Sequence, residues 1–324
     1  MTAGPAFSTL SLAPDVLAGR RRAVARALTA VENALPGADA LVDALYPHTG
    51  RAWRIGITGP PGAGKSTLTD RLVGLLRARG ERVAVVAVDP SSPFTGGALL
   101  GDRVRMDARM TGPDGQPDDG VFVRSLAARG ALGGLSEATE AACDVLDAAG
   151  FDVILVETVG VGQGEIDVAE TGDTCLVVLV PESGDAVQAM KAGLMEVATV
   201  FAVNKSDHAE APRLVRALRQ ALHLRPPSTD GWAPPVVAVS ALADDNVDGV
   251  LAALDGHRAH LAPVWAATRE ARLRRRVRRL VEAAWRARFW AGGRSEALAA
   301  AVAGLDAEAR VPHRLAASVL EAGA

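Results

Sequence analysis

Residues 59–66 read GPPGAGKS, the spacing G-x-x-x-x-G-K-S, and this stretch constrains the fold more than any other in the chain. An ordinary glycine-rich turn between a strand and a helix can match the same spacing, so the flanks decide. Ahead of it, residues 54–58 (RIGIT) are short, apolar and β-branched, which predicts a strand. Behind it, Leu68, Leu72, Leu75 and Leu76 share one helical face over residues 65–79, and Gly80 is a stop signal. Strand, glycine loop and helix thus follow in the order that a phosphate-binding loop requires. The residues Gly59, Pro60, Pro61, Gly62, Ala63 and Gly64 form a loop whose N–H groups can close around phosphate oxygens, and the helix N-terminus adds its dipole. Lys65 is placed to reach the β- and γ-phosphates and Ser66 to ligate Mg²⁺.

Alternating strands and helices continue to about residue 256. Strands are predicted at 54–58, 83–88, 121–123, 153–156, 175–180, 200–203 and 236–239, mostly as continuous apolar runs. Such runs suit strands buried on both faces of a parallel sheet, and the long helical connections suit right-handed crossovers. Residues 1–48 read as a helical extension, 49–256 as the P-loop domain and 257–324 as a helical arm. Six arginines between Arg272 and Arg279 are interleaved with Leu273, Val277, Leu280 and Val281 at helical spacing. The arginines fit a solvated face covering an apolar stripe, or alternatively an interface arm whose stripe meets a second copy of the chain.

Composition excludes several classes. The net charge of −3 gives no reason to expect a nucleic-acid partner. The two cysteines, Cys143 and Cys175, form no C-x-x-C pair, which fits a reduced, cytoplasmic setting and offers no structural zinc site. The N-terminus has no signal-peptide pattern, and no uncharged apolar run reaches the ~18 residues that would span a membrane.

Further motifs fall at predicted strand ends. Asn204, Lys205 and Asp207 form N-K-x-D. A carboxylate at Asp207 can accept two hydrogen bonds from the N1–H and 2-amino group of guanine. Adenine lacks both donors and would leave it unpaired. Asn204 and Lys205 brace the loop and cover the base. Ser240, Ala241 and Leu242 follow the last strand, where GTPases offer a backbone N–H to the guanine oxygen. Glu157 closes the strand 153–156 before a glycine turn, the place of the acid that serves Mg²⁺. Gln163 in that turn is a candidate for orienting the attacking water, or else the turn acts as a conformational switch alone. Asp89 fits a metal-side role or a simple Asp-Pro turn. Asp102 is a further acid in a loop.

Together these residues resemble the MeaB/ArgK/MMAA family of P-loop GTPases, chaperones of adenosylcobalamin-dependent acyl-CoA mutases. The matching stretches are GITGPPGAGKSTL, VAVDPSSPFTGGALLGDRVRM, FVRSLAARGALGGL, FDVILVETVGVGQGE, VPESGDAVQAMKAG and FAVNKSD, within residues 15–290. The resemblance implies an α/β P-loop NTPase with a mainly parallel sheet flanked by helices, an N-terminal helical extension and a C-terminal helical dimerisation arm. It implies GTP or GDP as ligand with its phosphates held by Gly59 to Thr67, Mg²⁺ held by Ser66, Asp89, Asp102 and Glu157, and hydrolysis served by Lys65, Glu157 and Gln163. It further implies a homodimer, a mutase partner and no cobalamin site of the chain's own. Asp185, Gln188 and Lys191 match the switch that answers to the mutase. Two positions depart from the family pattern: Gly164 replaces a serine, and Glu182 replaces a glycine. Rival readings are a metal-inserting GTPase, which the scattered histidines disfavour, and an ATP-using kinase linked to basic amino-acid transport, which N-K-x-D disfavours.

Overall fold

β-Branched and apolar segments form the strands β1 (Trp53–Thr58), β2 (Val83–Pro90), β3 (Val121–Ala128), β4 (Val153–Thr158), β5 (Thr174–Leu179), β6 (Val200–Val203) and β7 (Val236–Ala238). The structure, a computed structural model, describes residues 8–90, 118–128, 134–158, 171–181, 193–225, 230–291, 293–303 and 311–321. All neighbouring strands pair in parallel, in the order β3-β2-β4-β1-β5-β6-β7. Every residue of β1, β4, β5 and β6 is buried, as a sheet covered on both faces demands.

The covering helices are α1 (Arg21–Glu32), α2 (Ala38–Leu45), α3 (Lys65–Ala78), α4 (Gly134–Ala148), α5 (Ala211–His223) and α6 (Val247–Leu261). Alternate residues of each strand serve opposite faces. Val153 and Leu155 join Leu68, Leu72 and Leu76 of α3 and Val250, Leu251 and Leu254 of α6. Ile154 and Val156 join Leu28 of α1, Leu41 of α2 and Leu146 of α4. The N-terminal helices therefore pack into the same core as the sheet. At the other end, Leu218 of α5 packs with Val177, Leu179 and Phe201.

The turn entering β1 is held by charge. Asp147 of α4 accepts the backbone N–H groups of Gly50 (2.8 Å), Arg51 (3.1 Å) and Ala52 (3.0 Å). Arg54 Nη2 donates to Asp144 (2.8 Å) and Asp147 (3.4 Å), and all three side chains are buried. Burial alone would lower the pKa of Arg54, but the carboxylates of Asp144 and Asp147 hold it above the ordinary arginine value. A second buried chain crosses the other face. Trp53 Nε1 donates to Thr174 Oγ1 (2.9 Å), which lies 2.9 Å from Nδ1 of His257 in α6.

The chain divides into two compact units, 1–268 and 269–324. The boundary expected after residue 256 falls inside α6, because Leu254, His257 and Leu261 continue one buried helical face. The helix α7 (Trp265–Trp290) runs from the first unit into the second, which also holds α8 (Arg294–Ala303) and α9 (Pro312–Glu321). Within the arginine run the solvated face is incomplete: Arg274, Arg275 and Arg278 are exposed and Arg279 is half-buried. Arg272 and Arg276, one turn apart, are buried, whereas Val277, Leu280 and Val281 are exposed. Among the described residues no helix is long and apolar enough to cross a membrane.

Two outcomes test these networks. Replacing Asp147 by alanine leaves Arg54 without one carboxylate and three amides without their acceptor. It is expected to lower the unfolding free energy by about 3–5 kcal/mol in denaturant titrations, and a loss under about 1 kcal/mol would contradict the assignment. For His257, burial first and the neighbouring His260 second push its pKa from 6.5 down to about 4, against the opposing pull of Asp230 and Asp173. The unfolded chain binds that proton below 6.5 and the folded chain only near 4, so stability falls as pH drops through this window. The substitution His257→Gln is expected to flatten that part of the stability–pH curve.

Candidate nucleotide-binding site

Because every strand is parallel, the carboxyl ends share one edge, and the loop after β1 leaves between β4 and β5, where the connection direction reverses. Open α/β sheets bind ligands at such a point. Gly59 starts the loop with φ +141°, and a Cβ there would lie 2.1 Å from the carbonyl oxygen of Val178. Gly64 ends it in the left-handed conformation, and no side chain caps α3. The first-turn amides of Lys65, Ser66 and Thr67 therefore open toward an anion. Pro61 and Gly62 are exposed, Pro60 is half-buried and Ala63 is buried at the loop's base.

Lys65 is buried and curls across this loop. Its Nζ donates to the carbonyl oxygens of Gly59 (2.7 Å) and Pro60 (2.9 Å). The neighbouring Ser66 hydroxyl donates to Oε1 of Glu157, which is buried at the end of β4. Two of the residues expected on the metal side are thus brought together from positions 66 and 157. A hydroxyl and a carboxylate are the hard oxygen donors that Mg²⁺ takes, with nucleotide phosphates and water completing its shell. Among the described residues, no group of three or more His, Cys, Asp or Glu could hold a metal by itself. The backbone of Asp89 lies at the same edge, the penultimate residue of β2, in register with Ala127. Asp102, Gln163, Asp185, Gln188 and Lys191 lie outside the described residues, as do Gly164 and Glu182.

The second half of the site follows β6 and β7. Asn204 is buried and joins the two halves. Its Nδ2 donates to the carbonyl of Ala63 (2.8 Å), and its Oδ1 accepts the amide of Ala241 (3.0 Å). Lys205 turns the chain with φ +57°. Asp207 is exposed, and the Ser240 hydroxyl donates to its Oδ1 (2.8 Å). That hydrogen bond holds the Asp207 carboxyl below the usual range, so at neutral pH it is an anionic acceptor. Leu242 is exposed at the tip of the turn. One member of this arrangement carries no sequence signal. Arg71 of α3 donates from Nε to Ala241 O (3.2 Å) and from Nη2 to Leu242 O (3.4 Å), across 170 residues of chain.

The geometry is that of a nucleotide site with a phosphate end and a base end. A family model described as methylmalonyl Co-A mutase-associated GTPase MeaB matches residues 24–294. The chain belongs to the MeaB family. MeaB-family relatives include a Pyrococcus abyssi protein with a GTPase name, 48% identical over 266 residues, which span 82% of this chain and 78% of the relative. Escherichia coli GTPase ArgK is 40% identical over 239 residues, 72% of this chain and 70% of its own. A crystal structure of an LAO/AO transport system kinase superposes with a TM-score of 0.74 at 28% identity, covering 99% of both chains. The α/β architecture with a parallel sheet and helices at both chain ends agrees with the MeaB-family expectation.

The left-handed Gly64 supplies a test, because an added Cβ would lie 2.3 Å from Asn204 Nδ2. Gly64→Ala is expected to weaken GDP binding by about tenfold or more in a fluorescent-nucleotide titration. Unchanged affinity would separate Asn204 from the phosphate loop.

Proposed function

We propose that this MeaB-family GTPase binds GTP with Mg²⁺, hydrolyses it slowly, and uses the nucleotide state to gate adenosylcobalamin loading and repair in an acyl-CoA mutase. The observation that carries the nucleotide reading is the pair of hydrogen bonds made by Asn204, which ties the loop at Ala63 to the turn at Ala241. Phosphate and guanine recognition are then parts of one site. The mutase reading rests on the family description and on a mouse relative named methylmalonic aciduria type A homolog, mitochondrial, 37% identical over 60% of this chain and 46% of its own.

In this proposal Lys65 exchanges the carbonyls of Gly59 and Pro60 for the β- and γ-phosphate oxygens. Ser66 and Glu157, with Asp89 and Asp102, hold the metal side. Bound there, Mg²⁺ neutralises charge on the phosphates. The first-turn amides of α3 and the Lys65 ammonium stabilise the charge that develops as the γ-phosphate departs. Gln163 orients the attacking water. Asp207 pairs with the N1–H and 2-amino group of guanine, while Lys205 covers the base. That acceptor supports GTP over the ATP that a kinase of amino-acid transport would use. Asp185, Gln188 and Lys191 report nucleotide state to the mutase. The exposed stripe of Val277, Leu280 and Val281 supports a homodimer. In this proposal the chains are cytoplasmic and have no cobalamin site, nucleic-acid partner or membrane contact of their own.

The direct test is GTP hydrolysis, with ATP as control, alone and with adenosylcobalamin-dependent mutases from the same organism. Stimulation by one mutase, abolished in Lys65→Ala, is expected. Equal rates with and without every mutase would sink the chaperone reading. At the base end, Asp207→Asn replaces an acceptor oxygen by a donor. It is expected to weaken GDP by about a hundredfold and to favour the xanthine nucleotide, read by competition against a fluorescent analogue.

A further inference from the structure

We propose that Arg71 is a positioning residue for guanine recognition: from the helix that carries Lys65 and Ser66, it sets the direction in which the turn at Ser240, Ala241 and Leu242 presents the Leu242 amide. This rests on the base-end reading of Asp207 and that turn.

The turn needs an external support. Its closure is short, with Ser240 N bonded to Asp245 O (3.1 Å) and Asp245 N to Ser240 O (3.0 Å). Asp244 (φ +59°) and Asn246 (φ +58°) are both left-handed, a conformation that non-glycine residues adopt at a cost. Ala241 is buried and bonded to Asn204, but Leu242 at the tip is 85% exposed, so its side chain has little to pack on. Arg71 fills that role from outside the turn. Its guanidinium is planar and holds two successive carbonyls, Ala241 O at 3.2 Å and Leu242 O at 3.4 Å. Its Nε also lies 3.5 Å from Asp244 Oδ1, the carboxylate of a left-handed residue.

The consequence follows from peptide planarity. Ala241 O and the Leu242 N–H belong to one peptide unit and point in opposite directions. Holding that oxygen toward α3 therefore sets where the Leu242 amide points, and the grip on Leu242 O fixes the next plane. The Ala241 amide is already taken by Asn204 Oδ1. A turn so held presents the Leu242 N–H in one orientation to the guanine carbonyl oxygen at C6. Because Arg71 stands on α3, the element that cradles the phosphates also orients the turn that reads the base.

The test compares ligands that differ at that oxygen. GDP, ADP and 6-thioguanosine 5′-diphosphate, which keeps the N1–H and the 2-amino group and replaces the C6 oxygen by sulfur, a poorer acceptor, compete with fluorescent GDP on the full chain. Arg71→Met, which keeps the apolar stem, is expected to weaken GDP about five- to tenfold and the 6-thio nucleotide less than about twofold. Arg71→Lys, which keeps stem and charge but not the fork, is expected to show the same selective loss at a smaller size. Equal weakening of both nucleotides in either variant would mean a general structural role and would overturn the proposal. So would undiminished GDP binding. Wild-type protein that binds GDP no better than ADP would instead overturn the guanine reading itself, whatever Arg71 does.

Discussion

All the described strands run in the same direction, and the candidate site depends on that constraint. Parallel strands place every carboxyl end on one edge, so residues from 59 to 242 meet although the chain separates them widely. The constraint is enforced by burial on both faces. Val153 and Leu155 face α3 and α6, while Ile154 and Val156 face α1, α2 and α4. A strand slipped by one residue would exchange these two sets, so register and site geometry are fixed by the same packing.

Polar side chains then join what the sheet brings close. Ser66 and Glu157 connect the phosphate loop to β4, and Asn204 connects it to the turn after β7. The first joins the N-terminal turn of α3 to the end of β4, and the second joins three loops at the same edge of the sheet. A ligand that displaces the Lys65 contacts to Gly59 and Pro60 acts on a loop already braced by Asn204. In the proposed function this makes Asn204 the mechanical link between the phosphate and base ends, the physical basis for a nucleotide-dependent signal.

Much of this was legible in the sequence, and the exceptions have physical causes. The strands were visible as apolar runs because both faces are buried, and the loop and N-K-x-D because their chemistry requires fixed spacings. The apolar run of β3 ends at Val123, where Arg124 and Ser125 break it, yet the strand continues to Ala128. Arg124 is accommodated by Glu32 and Thr29 of α1, a pairing that local pattern does not encode. Arg54 gave no signal inside a strand for the same reason, because its partners Asp144 and Asp147 lie on α4. Arg71 is the same case within the site. Residue 256, after which the sequence pattern starts the arm, lies inside α6, whose buried face continues through His257 to Leu261. In α7 the alternation of arginine with apolar residues is compatible with either set being covered, and Arg272 and Arg276 are the buried members.

The proposed role turns on differential affinity, since a nucleotide biases a partner only if GTP and GDP differ in their coupling to it. The decisive measurement is the ratio of GTP to GDP dissociation constants, taken with and without a saturating apo-mutase from the same organism. A shift of about five- to 150-fold in that ratio, with a reciprocal change in mutase affinity, is the predicted result. An unchanged ratio, with both nucleotides bound, would contradict a nucleotide-gated chaperone and leave a GTPase whose partner is of another kind.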